Sequence, residues 1–132
     1  MIKGIGHIGI GVKDIERYLE ALSEVFGVPI PPIKDLPDRQ ARVALVEMGP
    51  ISLEVIQDDN ENGLLGSFVK RHGNGIHHYC LITDDIDADV AALKSSGVKM
   101  LHEQPIVGLR DKRIAFISPE SLDGIPVELS EP

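Results

Sequence analysis

The chain has one cysteine, no tryptophan, three phenylalanines and two tyrosines in 132 residues. A single thiol, Cys80, excludes an intramolecular disulfide and fits a reducing cytoplasm. No apolar run approaches the roughly 20 residues that cross a bilayer, and Met1-Ile2-Lys3-Gly4 leads straight into the first expected strand, so neither a secreted nor a membrane protein is expected. Basic residues are outnumbered 13 to 21 by acidic ones, for a net charge of −8. Phosphate backbones call for clustered Lys and Arg, so no nucleic-acid partner is expected, whereas a small anionic substrate held by a few local cations is not excluded. There is no phosphate-cradling glycine loop, no CxxC pair and no nucleophile elbow. At this length, with 42% hydrophobic residues, the chain can form one compact domain or two fused halves that share a core.

What the chain does have is a repeat. A shift of 71 positions lays His7–Ile15 on His78–Ile86, and Arg42-Val43-Ala44-Leu45-Val46 on Arg113-Ile114-Ala115-Phe116-Ile117. Three further residues in the second copy change the offset to 74, which lays Ile51-Ser52-Leu53-Glu54-Val55 on Ile125-Pro126-Val127-Glu128-Leu129. Each copy therefore carries one histidine and one glutamate at matching places. Two modules related by an approximate two-fold would bring His7, Glu54, His78 and Glu128 towards one point, where two imidazoles and two carboxylates suit a divalent ion. The expected organisation is a single domain over 1–132, with module one at about 4–57, a linker at 58–75 and module two at about 76–130.

Each module reads as strand, helix, then three strands. Ile8, Ile10 and Val12 alternate with His7, Gly9 and Gly11, the period of a half-buried strand. Asp14 offers an N-cap and Gly27 a stop for a helix whose inward stripe is Ile15, Tyr18, Leu19, Leu22, Val25 and Phe26. A short Val28–Ile30 strand, a polar turn at 34–40, and strands at Arg42–Met48 and Ile51–Gln57 complete the first module. The second repeats the order: strand Ile76–Thr83, a helix capped by Asp85 with Ile86, Val90 and Leu93 inward, strand Val98–His102, a loop Glu103–Lys112, and strands Arg113–Ile117 and Ile125–Ser130. The linker holds a short helix around Leu64–Arg71.

Strand neighbours point to opposite faces. If Ile8 and Ile10 pack under a helix, His7 points away from it, and Gly9 and Gly11, following it on the same face, leave room above its ring. Leu53 and Val55 then face the helix while Glu54 does not, and Val127 and Leu129 do the same for Glu128. A strand histidine alone is more often a surface or hydrogen-bonded group than a ligand, and a strand glutamate more often faces water. Exposure alone does not require the same residue types at matching places, but a duplicated ancestor can leave such a match as a relic, so both readings stand on the pattern. His77 is expected to pack on the helix side, His72 and His102 to be solvated, Tyr18 to be core, and Cys80 to be a small buried residue on the face of His78.

These stretches carry a resemblance. Gly6–Asp14, Phe68–His78 with its adjacent histidines, and the Asp84-Asp85-Ile86 helix start resemble the vicinal oxygen chelate superfamily (glyoxalase, bleomycin resistance and dioxygenase proteins), and within it the methylmalonyl-CoA epimerases. The resemblance implies an α+β fold of paired βαβββ modules, their curved mixed sheet closing round a cavity with helices outside. It also implies a homodimer and metal ligands at His7, Glu54, His78 and Glu128. The cofactor would be a divalent ion, Co, Ni, Mn or Zn, acting as a Lewis acid on a carbonyl or acyl-thioester substrate. The implied reaction removes a proton next to the carbonyl, and its return gives epimerisation or a glyoxalase I-type isomerisation.

Two places depart from the epimerase pattern. Glu128 matches a residue that can serve as ligand and proton carrier, but where some epimerases have a second glutamate on the third strand this chain has Val43. Glu47 is on the same strand face, farther along. Where those epimerases have a glycine-rich turn and a His-Pro-Lys segment, the chain has Leu109-Arg110-Asp111-Lys112 and Ser118-Pro119-Glu120, so Arg110, Lys112 and Arg113 are the candidate substrate-binding cations. Alternatives to the epimerase are a lactoylglutathione lyase and a metal-free protein of the same fold that sequesters small molecules. The sequestering proteins line their groove with aromatics, which are scarce here, and lack the full quartet.

Overall fold

The computed structural model describes all residues, Met1–Pro132. In chain order the elements are β1 (Ile2–Gly11), α1 (Ile15–Phe26), β2 (Lys34–Leu36), β3 (Ala41–Met48), β4 (Ile51–Asp58), α2 (Leu64–His72), β5 (Gly75–Thr83), α3 (Ile86–Ser95), β6 (Ile106–Val107), β7 (Arg113–Ile117) and β8 (Val127–Ser130). The fold is α+β, as expected, with an eight-stranded mixed sheet in the order β2-β3-β4-β1-β5-β8-β7-β6. No helix is long and apolar enough to cross a membrane. Contacts divide the chain into two compact units, Ile8–His77 and Met1–His7 with His78–Pro132, so the division runs through β1 and β5.

In the Ile8–His77 unit, α1 starts where Asp14 accepts a hydrogen bond from the Arg17 amide, and it stops at Gly27, whose φ of 70° is a left-handed conformation that glycine adopts without strain. Ile15 and Leu19 pack from α1 onto Ile10, Val12, Ala44, Val46 and Val55. Burying each such aliphatic chain stabilises the fold by about 1.5–3 kcal/mol. β3 and β4 pair antiparallel along their whole length about the Gly49-Pro50 turn, with Leu45 opposite Glu54. α2 crosses β1 where Gly11 has no side chain: a Cβ there would stand 2.8 Å from a Val69 methyl. Gly11 therefore makes way for α2 and is not open space beside His7.

The other unit repeats this plan. Asp85 caps α3 by accepting from the Ala88 amide, and Ile86 and Val90 pack onto Ala115, Ile117, Val127 and Leu129, with Leu93 partly buried beside them. β5 runs parallel to β8, which pairs antiparallel with β7, and β7 with β6.

The structure corrects several expectations. Val28–Ile30 is not a strand: prolines at 29, 31 and 32 remove three amide donors, and the strand is instead Lys34–Leu36, folded back on β3 through a 3-10 turn at Pro37–Arg39. Val98–His102 makes only one bridge, Met100 to Ile117, and the strand pairing with β7 is Ile106–Val107, inside the expected loop. Val25 and Phe26 are 70% and 72% exposed, so the inward stripe of α1 ends at Leu22, which packs partly buried against the core. His102 is half-buried, with Nδ1 accepting from the Phe116 amide at 3.1 Å. His77 packs as expected, edge-on to Phe68 of α2 with ring centroids 5.0 Å apart, and His72 is exposed.

Candidate metal centre

Alternation along β5 and β8 builds the centre within one unit. Val127 and Leu129 enter the core under α3, so Glu128 leaves from the other face. The register sets Glu128 between Cys80 of β5 and Phe116 of β7. His78 lies two residues before Cys80 on the same face, and His7 comes from β1. His7, His78 and Glu128 are 2%, 3% and 4% exposed. Both imidazoles turn Nε2 to the same carboxylate: His7 to Glu128 Oε1 at 3.3 Å, and His78 to Oε2 at 3.9 Å. The two rings are edge to face with centroids 5.5 Å apart, and Phe116 closes the far side of His78 at 5.0 Å.

Burial pushes the Glu128 carboxyl up, but the hydrogen bond with His7, the nearby charges of His78 and His7, and a hydrogen bond with Cys80 outweigh it. The group is held below its ordinary value and is a carboxylate at neutral pH. Donors bonded to one ion at about 2.0–2.3 Å stand roughly 3–4.5 Å from one another, so the two nitrogen–oxygen separations fit a shared cation. The donor set, neutral imidazole with carboxylate, suits first-row divalent ions.

Arg110 enters this cluster from the β6–β7 turn, which is closed by the Gly108 amide on the Lys112 carbonyl at 2.8 Å. Its guanidinium stands 3.1 Å from His7 Nδ1. Guanidinium only donates, so Nδ1 is the acceptor, and in a neutral ring the proton is on Nε2, directed at Glu128.

The remaining sequence candidates lie as follows. Glu54, 6% exposed, sits mid-strand in the Ile8–His77 unit opposite Leu45, as Glu128 sits opposite Phe116, and its neighbour Val55 fills the α1 core. Val43 is buried, and Glu47 is exposed near the end of β3, opposite Ser52. Lys112 is half-buried in the turn just before β7. Arg113 bonds Asp87 of α3 and Glu131, both at 3.0 Å. Phe116 and the acceptor role of His102 had no sequence signal beyond their neighbours. Cys80 had one in its spacing from His78.

The model of the Glyoxalase/Bleomycin resistance protein/Dioxygenase superfamily matches residues 6–116. The ethylmalonyl-CoA/methylmalonyl-CoA epimerase of Cereibacter sphaeroides is 27% identical over 133 residues, covering 99% of each chain. Among solved structures, a Streptomyces coelicolor methylmalonyl-CoA epimerase variant in complex with 2-nitronate-propionyl-CoA superposes with a TM-score of 0.90 at 26% identity, covering 99% of this chain and 95% of that one. Methylmalonyl-CoA epimerase from Mycobacterium tuberculosis superposes with a TM-score of 0.88 at 27% identity, covering 99% and 89%. The chain belongs to the Glyoxalase/Bleomycin resistance protein/Dioxygenase superfamily.

Proposed function

We propose that the protein is a metal-dependent epimerase that removes and returns the proton on the carbon next to a carbonyl or thioester, with a substrate of the methylmalonyl-CoA kind. The observation that carries the reading is the buried carboxylate of Glu128 facing two imidazole Nε2 atoms at 3.3 and 3.9 Å. Its support from kinship is that the relatives at 26–27% identity include acyl-CoA epimerases. His7, Glu54, His78 and Glu128 are the proposed ligands. When bound, the ion supplies Lewis-acid stabilisation of negative charge on the substrate oxygen. Glu128, ionised and shielded from water, takes the proton from one face of the carbon. The exposed Glu47 suits a strand-end charge better than the second proton carrier.

For His7 to bind through Nε2, its proton must move to Nδ1, and Arg110 must then withdraw, since it cannot accept. The freed guanidinium would be the cation nearest the centre for the substrate's acid group. Arg110→Ala tightens ion binding if the two compete for His7 and leaves it unchanged if they do not. Lys112 shares the turn as a second candidate cation, while Arg113 is engaged in ion pairs with α3 and the C-terminal segment.

The test is exchange from deuterium oxide, with added divalent ion, into methylmalonyl-CoA and into the hemithioacetal of methylglyoxal. Exchange into the thioester supports the epimerase, exchange into the hemithioacetal alone assigns a lyase, and exchange into neither overturns both. A homodimer and a cytoplasmic location belong to the same proposal and are read by sedimentation and by cell fractionation. A monomer or a membrane-bound pool would contradict them.

A further inference from the structure

Cys80 is the group in the buried cluster that the repeat does not account for, since its counterpart at the offset of 71 is Gly9, which carries no side-chain donor. It lies directly across from Glu128 in the parallel β5–β8 pair and shares a strand face with His78. Its side chain is fully buried. One donor atom each from His7, Cys80 and Glu128 fall within 4.8 Å of one another. Ligands of one ion stand roughly 3–4.5 Å apart, so the three donors lie close to the spacing that a common cation requires. A buried cysteine otherwise acts as a small apolar filler, a role that does not call for sulfur beside an imidazole and a carboxylate.

We propose that the Cys80 sulfur is a direct ligand of the ion, turning a nitrogen and oxygen site into one with sulfur that favours zinc or cobalt over manganese or magnesium. This rests on the metal-centre reading above. Thiolate is the ligand form, so the thiol proton passes to solvent as the sulfur–ion bond forms. Soft sulfur strengthens the bond to zinc and cobalt and adds little for hard cations. The second copy of the repeat would then set which ion is taken.

X-ray absorption of the zinc-loaded protein tests this without substitution: a sulfur shell at about 2.3 Å is expected beside nitrogen and oxygen at about 2.0–2.2 Å. The cobalt-loaded protein is expected to show a near-ultraviolet sulfur-to-cobalt charge-transfer band that Cys80→Ser removes. In that variant the preference for zinc over manganese falls by at least about tenfold, the low end of what losing even an outer partner of a ligand costs in affinity. Stoichiometric ion with a nitrogen and oxygen shell only overturns the sulfur ligand and leaves the metal centre standing. Failure of zinc and cobalt to bind at all removes both.

Discussion

Arg42 reaches from β3 to Glu16 of α1 at 2.6 Å and to Asp35 at 2.7 Å. Arg113, 71 positions on, reaches from β7 to Asp87 of α3 and to Glu131, each at 3.0 Å. Glu16 and Asp87 are separated by the same 71 positions, as are the two caps Asp14 and Asp85 and the buried pairs Ile15 and Ile86, Leu19 and Val90, and Ala44 and Ala115. The other faces diverge. Where the second copy has Cys80, His102 and Phe116, the first has Gly9, Pro31 and Leu45. Packing a helix on strands imposes the same demands in both copies, so the helix-bearing faces match. The face with the histidines answers, in the proposed function, to one ion and one substrate, and the second copy carries the additional side-chain donors.

The largest effect separates the two glutamates. Glu128→Gln slows proton exchange by about 10²–10⁴-fold, the usual range for loss of a proton carrier. Glu54→Gln, which removes a proposed ligand only, is expected to regain most of its rate at saturating ion. Equal losses that saturating ion does not restore would make both residues proton carriers, and equal losses that it does restore would make both only ligands. Next in size are the equivalent core positions: Ile15→Ala and Ile86→Ala should each cost about 2–5 kcal/mol in urea unfolding, and a loss confined to one would break the equivalence of the helix faces.

Smaller effects belong to the matched arginines. Arg42→Ala and Arg113→Ala should lower Tm slightly and alike, because exposed ion pairs contribute little, and Arg113→Ala should leave exchange unchanged. A rate loss there would return Arg113 to substrate binding. The smallest effect is a pH dependence carried by His102, whose ordinary pKa is about 6.5. Burial lowers it, against a weaker opposing pull from Glu128. The unfolded chain then binds this proton more readily, so stability is full above about 6.5 and declines as pH falls below that value. His102→Asn can retain an acceptor for the Phe116 amide without titrating. Its Tm should change less between pH 7.5 and 5.5 than that of the parent protein (window set by the ordinary histidine value), and identical profiles would assign the decline elsewhere.

Much of this was legible because it is local or periodic. Asp14, Gly27 and Asp85 mark helix ends by their own chemistry, and alternation placed Glu54 and Glu128 opposite Val55 and Leu129. The short edge strands β2 and β6 were not, since three and two residues are too few for a period and their pairing depends on the turns beside them. Arg110 was readable as a candidate cation near the substrate, but its contact with His7 depends on how the β6–β7 turn folds, and those residues are 103 positions apart. The polar neighbours of His102 point to a solvated side chain, whereas its place is set by the backbone of β7.

The central claim is that residues from both copies hold a single cation. Calorimetric titration of the stripped protein with cobalt or zinc tests it most directly, using the parent and the variants His7→Ala, Glu54→Gln, His78→Ala and Glu128→Gln. One ion per chain in the parent, with markedly weakened binding in all four variants, is the expected result. Undiminished binding in either first-copy variant, His7→Ala or Glu54→Gln, or no binding by the parent, would contradict it.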